Sequence, residues 1–200
     1  MAPFLLNAAP TAPVKILVHG DLLNIETDGV GCLATLVGPR VFLTPAHCAK
    51  NGATAHFKFK GQKYQAMIAH SPFYLHDQHE LAVGLVSHDV KDAFSFTVGK
   101  WIDTGDSVRL LATSFGKTPG KTSVAMMENF NLVTNEGATA TFGDAGGAVI
   151  AKGAVVGIIN GGNGAETTYS TNLTHPVSLQ FLKDFGTVNQ VEICGVNSGC

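Results

Sequence analysis

Leu43-Thr44-Pro45-Ala46-His47-Cys48 ends a short apolar run on a histidine and a cysteine, and Phe142-Gly143-Asp144-Ala145-Gly146-Gly147 is a glycine-rich turn leading into a second apolar run. The stretches around these two segments decide the fold. Before the first, Gly31–Val37 and Val41–Thr44 flank the turn signal Gly38-Pro39 and read as a hairpin. After it, Lys50-Asn51-Gly52 turns the chain into Ala55-His56-Phe57-Lys58-Phe59-Lys60, which alternates apolar and polar residues with the period of a half-buried strand. Gly61 then leads into Tyr64–Ile68. After the second segment, Ala148–Ile150 and Ala154–Ile159 read as a strand pair.

Further strands are expected at Val14–Val18, Leu81–Val86, Val108–Ala112, Val124–Val133 and Thr167–Thr171. One helix is expected, 176–186: Pro176 opens it, Val177, Phe181, Leu182 and Phe185 recur at helical spacing, and Gly186 reads as a stop. Many short strands and a single terminal helix imply an all-β barrel architecture, because a parallel α/β sheet would need helices between its strands. Asp92–Gly105 is the expected crossover between two halves. No change of composition marks it as a flexible linker, so the halves are expected to pack tightly.

The chain of 200 residues is long enough for one compact unit with a substantial core, with 45% hydrophobic and only 14% charged residues. A formal net charge of −2 offers no basic surface for nucleic acid. No apolar run approaches the ~20 residues needed to cross a bilayer, so no membrane span is expected. Phe4–Val14 is broken by Pro10 and Pro13 and has no preceding basic residue, and so does not read as a signal peptide. For a secreted protein this would mean a targeting segment removed and Met1 added for expression. The four cysteines fall into two close pairs, Cys32 with Cys48 and Cys194 with Cys200, without the Cys-x-x-Cys spacing of a zinc site, and no metal or cofactor is expected. If the pairs are bonded, an oxidising compartment follows.

Taken together, the two quoted segments resemble the histidine and serine motifs of the chymotrypsin-like serine proteases, with alanine at the nucleophile position. The resemblance runs from Gly31 to the terminal helix. It implies two packed six-stranded antiparallel β-barrels, an N-terminal one over about 14–92 and a C-terminal one over about 105–175, in one protease domain spanning 1–200. His47 takes the place of the catalytic base, with Pro45 where alanine is usual. As in that family, a cysteine lies 15 positions before the histidine and bonds to the residue after it, here Cys32 and Cys48. A Cys194–Cys200 bond is the other pairing considered. The remaining histidines (His19, His56, His70, His76, His79, His88 and His175) are read as structural.

The family's acid opens a strand of the type Asp-Leu-Ala-Val, and Glu80-Leu81-Ala82-Val83 matches it with glutamate in place of aspartate. Asp77 is the competing acid. Gly143 and Ala145 would supply the backbone N–H groups of an oxyanion hole. Asn160, Gly161 and Gly162 would form the rail that pairs with a peptide. Asp144, which in the family accepts a buried cation, has no Ile-Val-Gly-Gly amino terminus to meet here, and Arg109 is its candidate partner. The base of the primary pocket falls at Thr139, where trypsin-like members carry aspartate. Ile159 stands where relatives selective for Gln or Glu often place histidine. The remaining expectation is an uncharged pocket for an apolar side chain.

A methyl group cannot attack a carbonyl. Ala145 therefore leaves three readings: an engineered, inactivated serine endopeptidase, a natural pseudoprotease acting as a binding or regulatory module, or a structural β domain with coincidental motifs. Retention of the base, a carboxylate and both glycines favours the first. The expected partners are a protein or peptide substrate, or a proteinaceous inhibitor, bound by a monomer. The expected setting is secreted or periplasmic, with a viral polyprotein protease in host cytoplasm as the alternative. Asn172-Leu173-Thr174 is a glycosylation sequon, usable in a eukaryotic secretory pathway.

Overall fold

Strands whose two faces meet different surroundings alternate, and those buried on both faces do not. A computed structural model describes residues 15–200 and shows both kinds. The first barrel is built from β1 (Leu23–Thr27), β2 (Val30–Gly38), β3 (Val41–Thr44), β4 (Thr54–Phe59), β5 (Gln62–His70) and β6 (Ala82–Val86). Its strands follow the order β1-β2-β3-β6-β5-β4 and close through β1 against β4, with Ile25 opposite Phe57. β1 and β4 bury every second residue, as half-exposed strands should.

β2, β3 and β6 are instead buried on both sides. Leu36 and Phe42 fill the interior of the first barrel, while Leu33, Val37, Val41, Leu43 and Val83 turn outward into the core shared with the second barrel. That double burial is why these segments read as unbroken apolar runs. Gly84 belongs to the same packing, because a Cβ there would lie 2.1 Å from the Phe42 ring.

The second barrel comprises β7 (Ser107–Leu111), β8 (Gly120–Glu128), β9 (Asn131–Gly137), β10 (Ala148–Ala151), β11 (Ala154–Gly162) and β12 (Thr168–Asn172). Its order is β10-β11-β12-β9-β8-β7, and it closes through β10 against β7. Two helices complete the fold, the single turn α1 (Tyr74–Asp77) and the terminal α2 (Pro176–Asn189). The crossover is bound into both halves: Phe96 N–H donates to Leu36 O at 2.7 Å, and Val98 N–H donates to Cys194 O at 2.8 Å. Phe96 and Val98 are buried, so the barrels share one core without a free linker.

Three expectations need correction. Val14 lies outside the described residues, and residues 15–18 form no strand, with Ile16 71% exposed. The strand that closes the barrel is β1, a few residues later. Val124–Val133 is two strands, reversed at Asn129-Phe130, where Asn129 takes a left-handed backbone (φ 52°) without a glycine. α2 passes through Gly186 to Asn189 and is capped by left-handed Gln190. Gly186 is small for another reason, since a Cβ there would stand 2.4 Å from the Asn197 amide nitrogen.

Candidate active site

β2 is the strand from which the site is assembled. Its Cys32 is bonded to Cys48, with Cα atoms 6.1 Å apart, which ties β2 to the short 3-10 turn Ala46–Cys48 that carries His47. One residue on, Leu33 N–H donates to Ala145 O at 2.8 Å. Two residues further, the Thr35 hydroxyl donates to Gly146 O at 3.1 Å. A single stretch of strand thus holds the histidine turn on one side and the glycine-rich loop on the other. Gly146 has to be glycine: its φ is +95°, and a Cβ would fall 1.6 Å from Leu33 O. The loop is also clasped from within its own barrel, by Gly146 N–H to Ile159 O at 2.8 Å and Ile159 N–H to Gly147 O at 2.9 Å.

Glu80 stands just before β6 and spends both carboxylate oxygens on one residue. Oε1 accepts the His47 backbone N–H at 2.9 Å, and Oε2 pairs with His47 Nδ1. This pins the ring and places its proton on Nδ1, leaving Nε2 as an acceptor. The imidazole pKa is raised above 6.5, first by the hydrogen bond to Glu80 and further by its charge, with partial burial opposing. Asp77 lies exposed in α1 and makes no bond to His47. Tyr74 in α1 has its pKa raised above 10.0, by burial and then by the charge of Glu80.

Among the described residues, neither the Gly143 nor the Ala145 N–H donates to a protein acceptor, which leaves both available to a bound oxyanion. Gly143 has φ +100° and open space where a Cβ would be. Asp144, 1% exposed, turns away from them. Its Oδ1 accepts Ser114 N–H at 3.0 Å, and its Oδ2 accepts Thr141 N–H at 2.8 Å. These neutral donors satisfy a buried carboxylate, so the pairing with Arg109 does not occur. Arg109 is exposed on β7 and borders a separate groove with Lys15, Lys121 and Lys152.

His47, Gly143 and Ala145 line a common cavity of about 440 Å³, together with Ile159, Asn160, Gly161 and Gly162. Apart from His47 its lining carries no titratable side chain. Thr139 is not part of the lining; the neighbouring Ala140 is, with its N–H held by the Thr168 hydroxyl at 2.8 Å. A bulge between Ile159 and Gly161 takes Asn160 out of register with β12. The Asn160 amide donates to Asn131 Oδ1 at 3.0 Å and Thr171 Oγ1 at 2.9 Å, so its side chain is engaged within the barrel.

Several supporting residues have no signature in the sequence. The Thr171 hydroxyl donates to Glu80 O at 2.6 Å, and that of Thr44 to Leu33 O at 3.0 Å. Threonine in an apolar strand signals only β propensity; the Thr44 bond forms between neighbouring strands of the first barrel, and the Thr171 bond exists only once the barrels meet. Cys194 and Cys200 form the second disulfide. Asn172 is only 6% exposed, and its Oδ1 accepts Thr174 N–H and hydroxyl, so the sequon is not presented at the folded surface.

No protein-family model matches the chain, and no curated protein sequence does. Solved structures do match. A Glu endopeptidase, in complex with MPD, aligns at TM-score 0.68 and 16% identity over 84% of this chain and 91% of its own. Kallikrein-related peptidase 10 aligns at 0.66 and 14%, over 88% and 99%. The Rv3671c protease of M. tuberculosis H37Rv, as a serine-to-alanine mutant in its inactive form, aligns at 0.63 and 17%, over 88% and 91%. At such identities the likeness is one of fold.

Proposed function

We propose that this chain, whose fold is that of the chymotrypsin-like serine proteases, is a serine endopeptidase inactivated by a nucleophile-to-alanine change at Ala145. The observation that carries the reading is the completeness of everything around the missing hydroxyl. His47 is held by both oxygens of Glu80, two backbone N–H groups are unclaimed, and the loop is fixed to the strand that positions the histidine.

With serine at 145, Nε2 of His47 takes the hydroxyl proton as Oγ attacks the carbonyl, and Glu80 stabilises the imidazolium. The developing oxyanion is met by the N–H groups of Gly143 and residue 145. His47 then returns the proton to the leaving amine, and water repeats the sequence to release the acyl group. The substrate is a protein or peptide laid along Asn160–Gly162. The uncharged cavity suits an apolar side chain before the scissile bond. The two disulfides support a secreted or periplasmic setting for this enzyme, because such bonds persist in oxidising compartments.

The second reading is a natural pseudoprotease that binds peptides without cleaving them. Ala145→Ser separates the two in an assay against a mixed peptide library. Loss of the serine nucleophile costs about 10⁶ in turnover in subtilisin-type proteases, and a gain of that order is expected on restoration. A folded serine form that cleaves nothing would leave the pseudoprotease.

A further inference from the structure

His79 is a buried titratable group that hydrolysis leaves unused. It is 0% exposed, and every polar atom it has is engaged. Its ring lies between Ser71 and Ser178, with Nδ1 2.5 Å from the Ser71 hydroxyl and Nε2 2.8 Å from that of Ser178. Its backbone N–H donates to Phe73 O at 3.1 Å, and its carbonyl accepts Leu81 N–H at 2.8 Å.

The network admits one proton arrangement. Ser178 has a single hydroxyl proton, and it is committed to Asn172 O at 2.8 Å. Ser178 therefore accepts from His79, which puts the ring proton on Nε2. Nδ1 is then bare and accepts from Ser71, whose oxygen in turn accepts Phe73 N–H at 3.2 Å. The ring is neutral, and its pKa is lowered to about 4 by burial and by the nearby His175. Phe130, from the β8–β9 turn, packs on the His79 ring at 4.7 Å and on His175 at 4.9 Å. Three parts of the molecule therefore meet on this one side chain: the segment before β6, the helix α2 and the β8–β9 turn.

Glu80 is the next residue. The bond from Leu81 N–H back to His79 O spans three residues, so Glu80 is the central residue of a γ-turn. Both of its neighbours are 0% exposed, while Glu80 itself is half-buried and directed at His47. The direction of the carboxylate is consequently set by how its neighbours are seated.

We propose that His79 is a positioning residue for the acid of the triad: anchored to Ser178 of α2 and Ser71, it fixes the turn that aims Glu80 at His47. The Thr171 hydroxyl on Glu80 O is the second anchor of the same turn. Both fastenings reach from the first barrel to elements that follow it in sequence, so the base is oriented only when the two halves are docked. The catalytic meaning of this device rests on the protease reading given above, but its physical test does not.

The experiment is NMR titration of the His47 imidazole in the protein as it stands, with Ala145 in place. In His79→Phe, which keeps ring bulk and removes both polar atoms, the His47 midpoint is expected to fall toward its ordinary value. The Nδ1–H resonance should weaken with it, while circular dichroism shows a folded barrel. Ser178→Ala removes a single hydroxyl at the far end of the network and should shift His47 in the same direction by less. If His79→Phe does not fold, Ser178→Ala decides alone. An unchanged His47 titration in the folded variants, even with a lower Tm, would reduce His79 to a packing residue and overturn the proposal. Failure of Ala145→Ser to cleave peptides would sink the protease reading and leave this measurement standing.

Discussion

At residue 146 the backbone leaves no room for a side chain, since the ideal Cβ overlaps the Leu33 carbonyl and φ is +95°. Gly146→Ala should therefore cost on the order of 3 kcal/mol by denaturant unfolding, and should separate the loop from β2. Gly143, also at positive φ but facing open space, should tolerate alanine with a smaller loss. Glu80→Gln in an Ala145→Ser background should cut kcat by a factor of about 10⁴ through loss of the charge and tautomer that serve His47, whereas Asp77→Asn should leave it unchanged. Steady-state kinetics of the two variants checks both. That Glu80 and not Asp77 faces His47 agrees with the strand pattern that the family resemblance supplied, because a residue's place relative to an apolar strand is a local feature. The partners of Asp144 were not legible in the sequence, because they are backbone amides of Ser114 and Thr141 that only folding brings round.

Among the elements, β2 has the widest duties, and its disulfide is the one to remove. A bond closing a loop of this length is worth roughly 3 kcal/mol in the chain-entropy model, so Cys32→Ala with Cys48→Ala should lower stability by about that amount in chemical denaturation. Removing the pair should also loosen the Ala46–Cys48 turn and with it the seat of His47. Hairpins with glycine or proline at the bend, such as β2–β3 around Gly38-Pro39, could be read directly. The β8–β9 reversal could not, because its left-handed position is held by Asn129 inside an apolar run. β1 was displaced toward Val14–Val18 for a related reason. The earlier run is the more apolar, but Leu23-Asn24-Ile25-Glu26-Thr27 has the alternation that a half-exposed closing strand requires. Gly186 misled in the opposite direction, since a glycine chosen for a close contact with Asn197 looks, in sequence, like a helix stop.

For the whole molecule, an all-β barrel architecture was legible in the run of short strands and turn residues; the two six-stranded barrels were what the family resemblance implied, and the structure and solved structures of the same fold agree with them. What sequence could not show is how the halves are joined, because the joining bonds run between residues far apart in the chain, such as Thr35 with Gly146 and His79 with Ser178. That junction should be sensitive to acid. His79 titrates at about 4 in the folded chain and at the ordinary 6.5 when unfolded, so the unfolded chain takes up the proton first as pH falls. The groups facing His79 are the uncharged Ser71 and Ser178, with His175 across Phe130 and Glu80 beside it. Its contribution is full above pH 6.5 and is lost as pH drops from there to about 4. His47 has the opposite sign: its raised pKa stabilises below 6.5, and this is lost as pH rises through the folded value. Thermal unfolding scans should show Tm declining on the acid side in the parent chain, and that decline should be shallower in His79→Phe.

The central claim is that only a hydroxyl is missing, and covalent labelling tests it without any knowledge of the substrate. A fluorophosphonate probe reacts with a serine whose base, acid and oxyanion donors act together. Purified Ala145→Ser protein should take up stoichiometric label at residue 145, the Ala145 chain should take none, and Glu80→Gln in the serine background should label far more slowly. A folded Ala145→Ser protein that takes no label would contradict the claim that the site is otherwise complete.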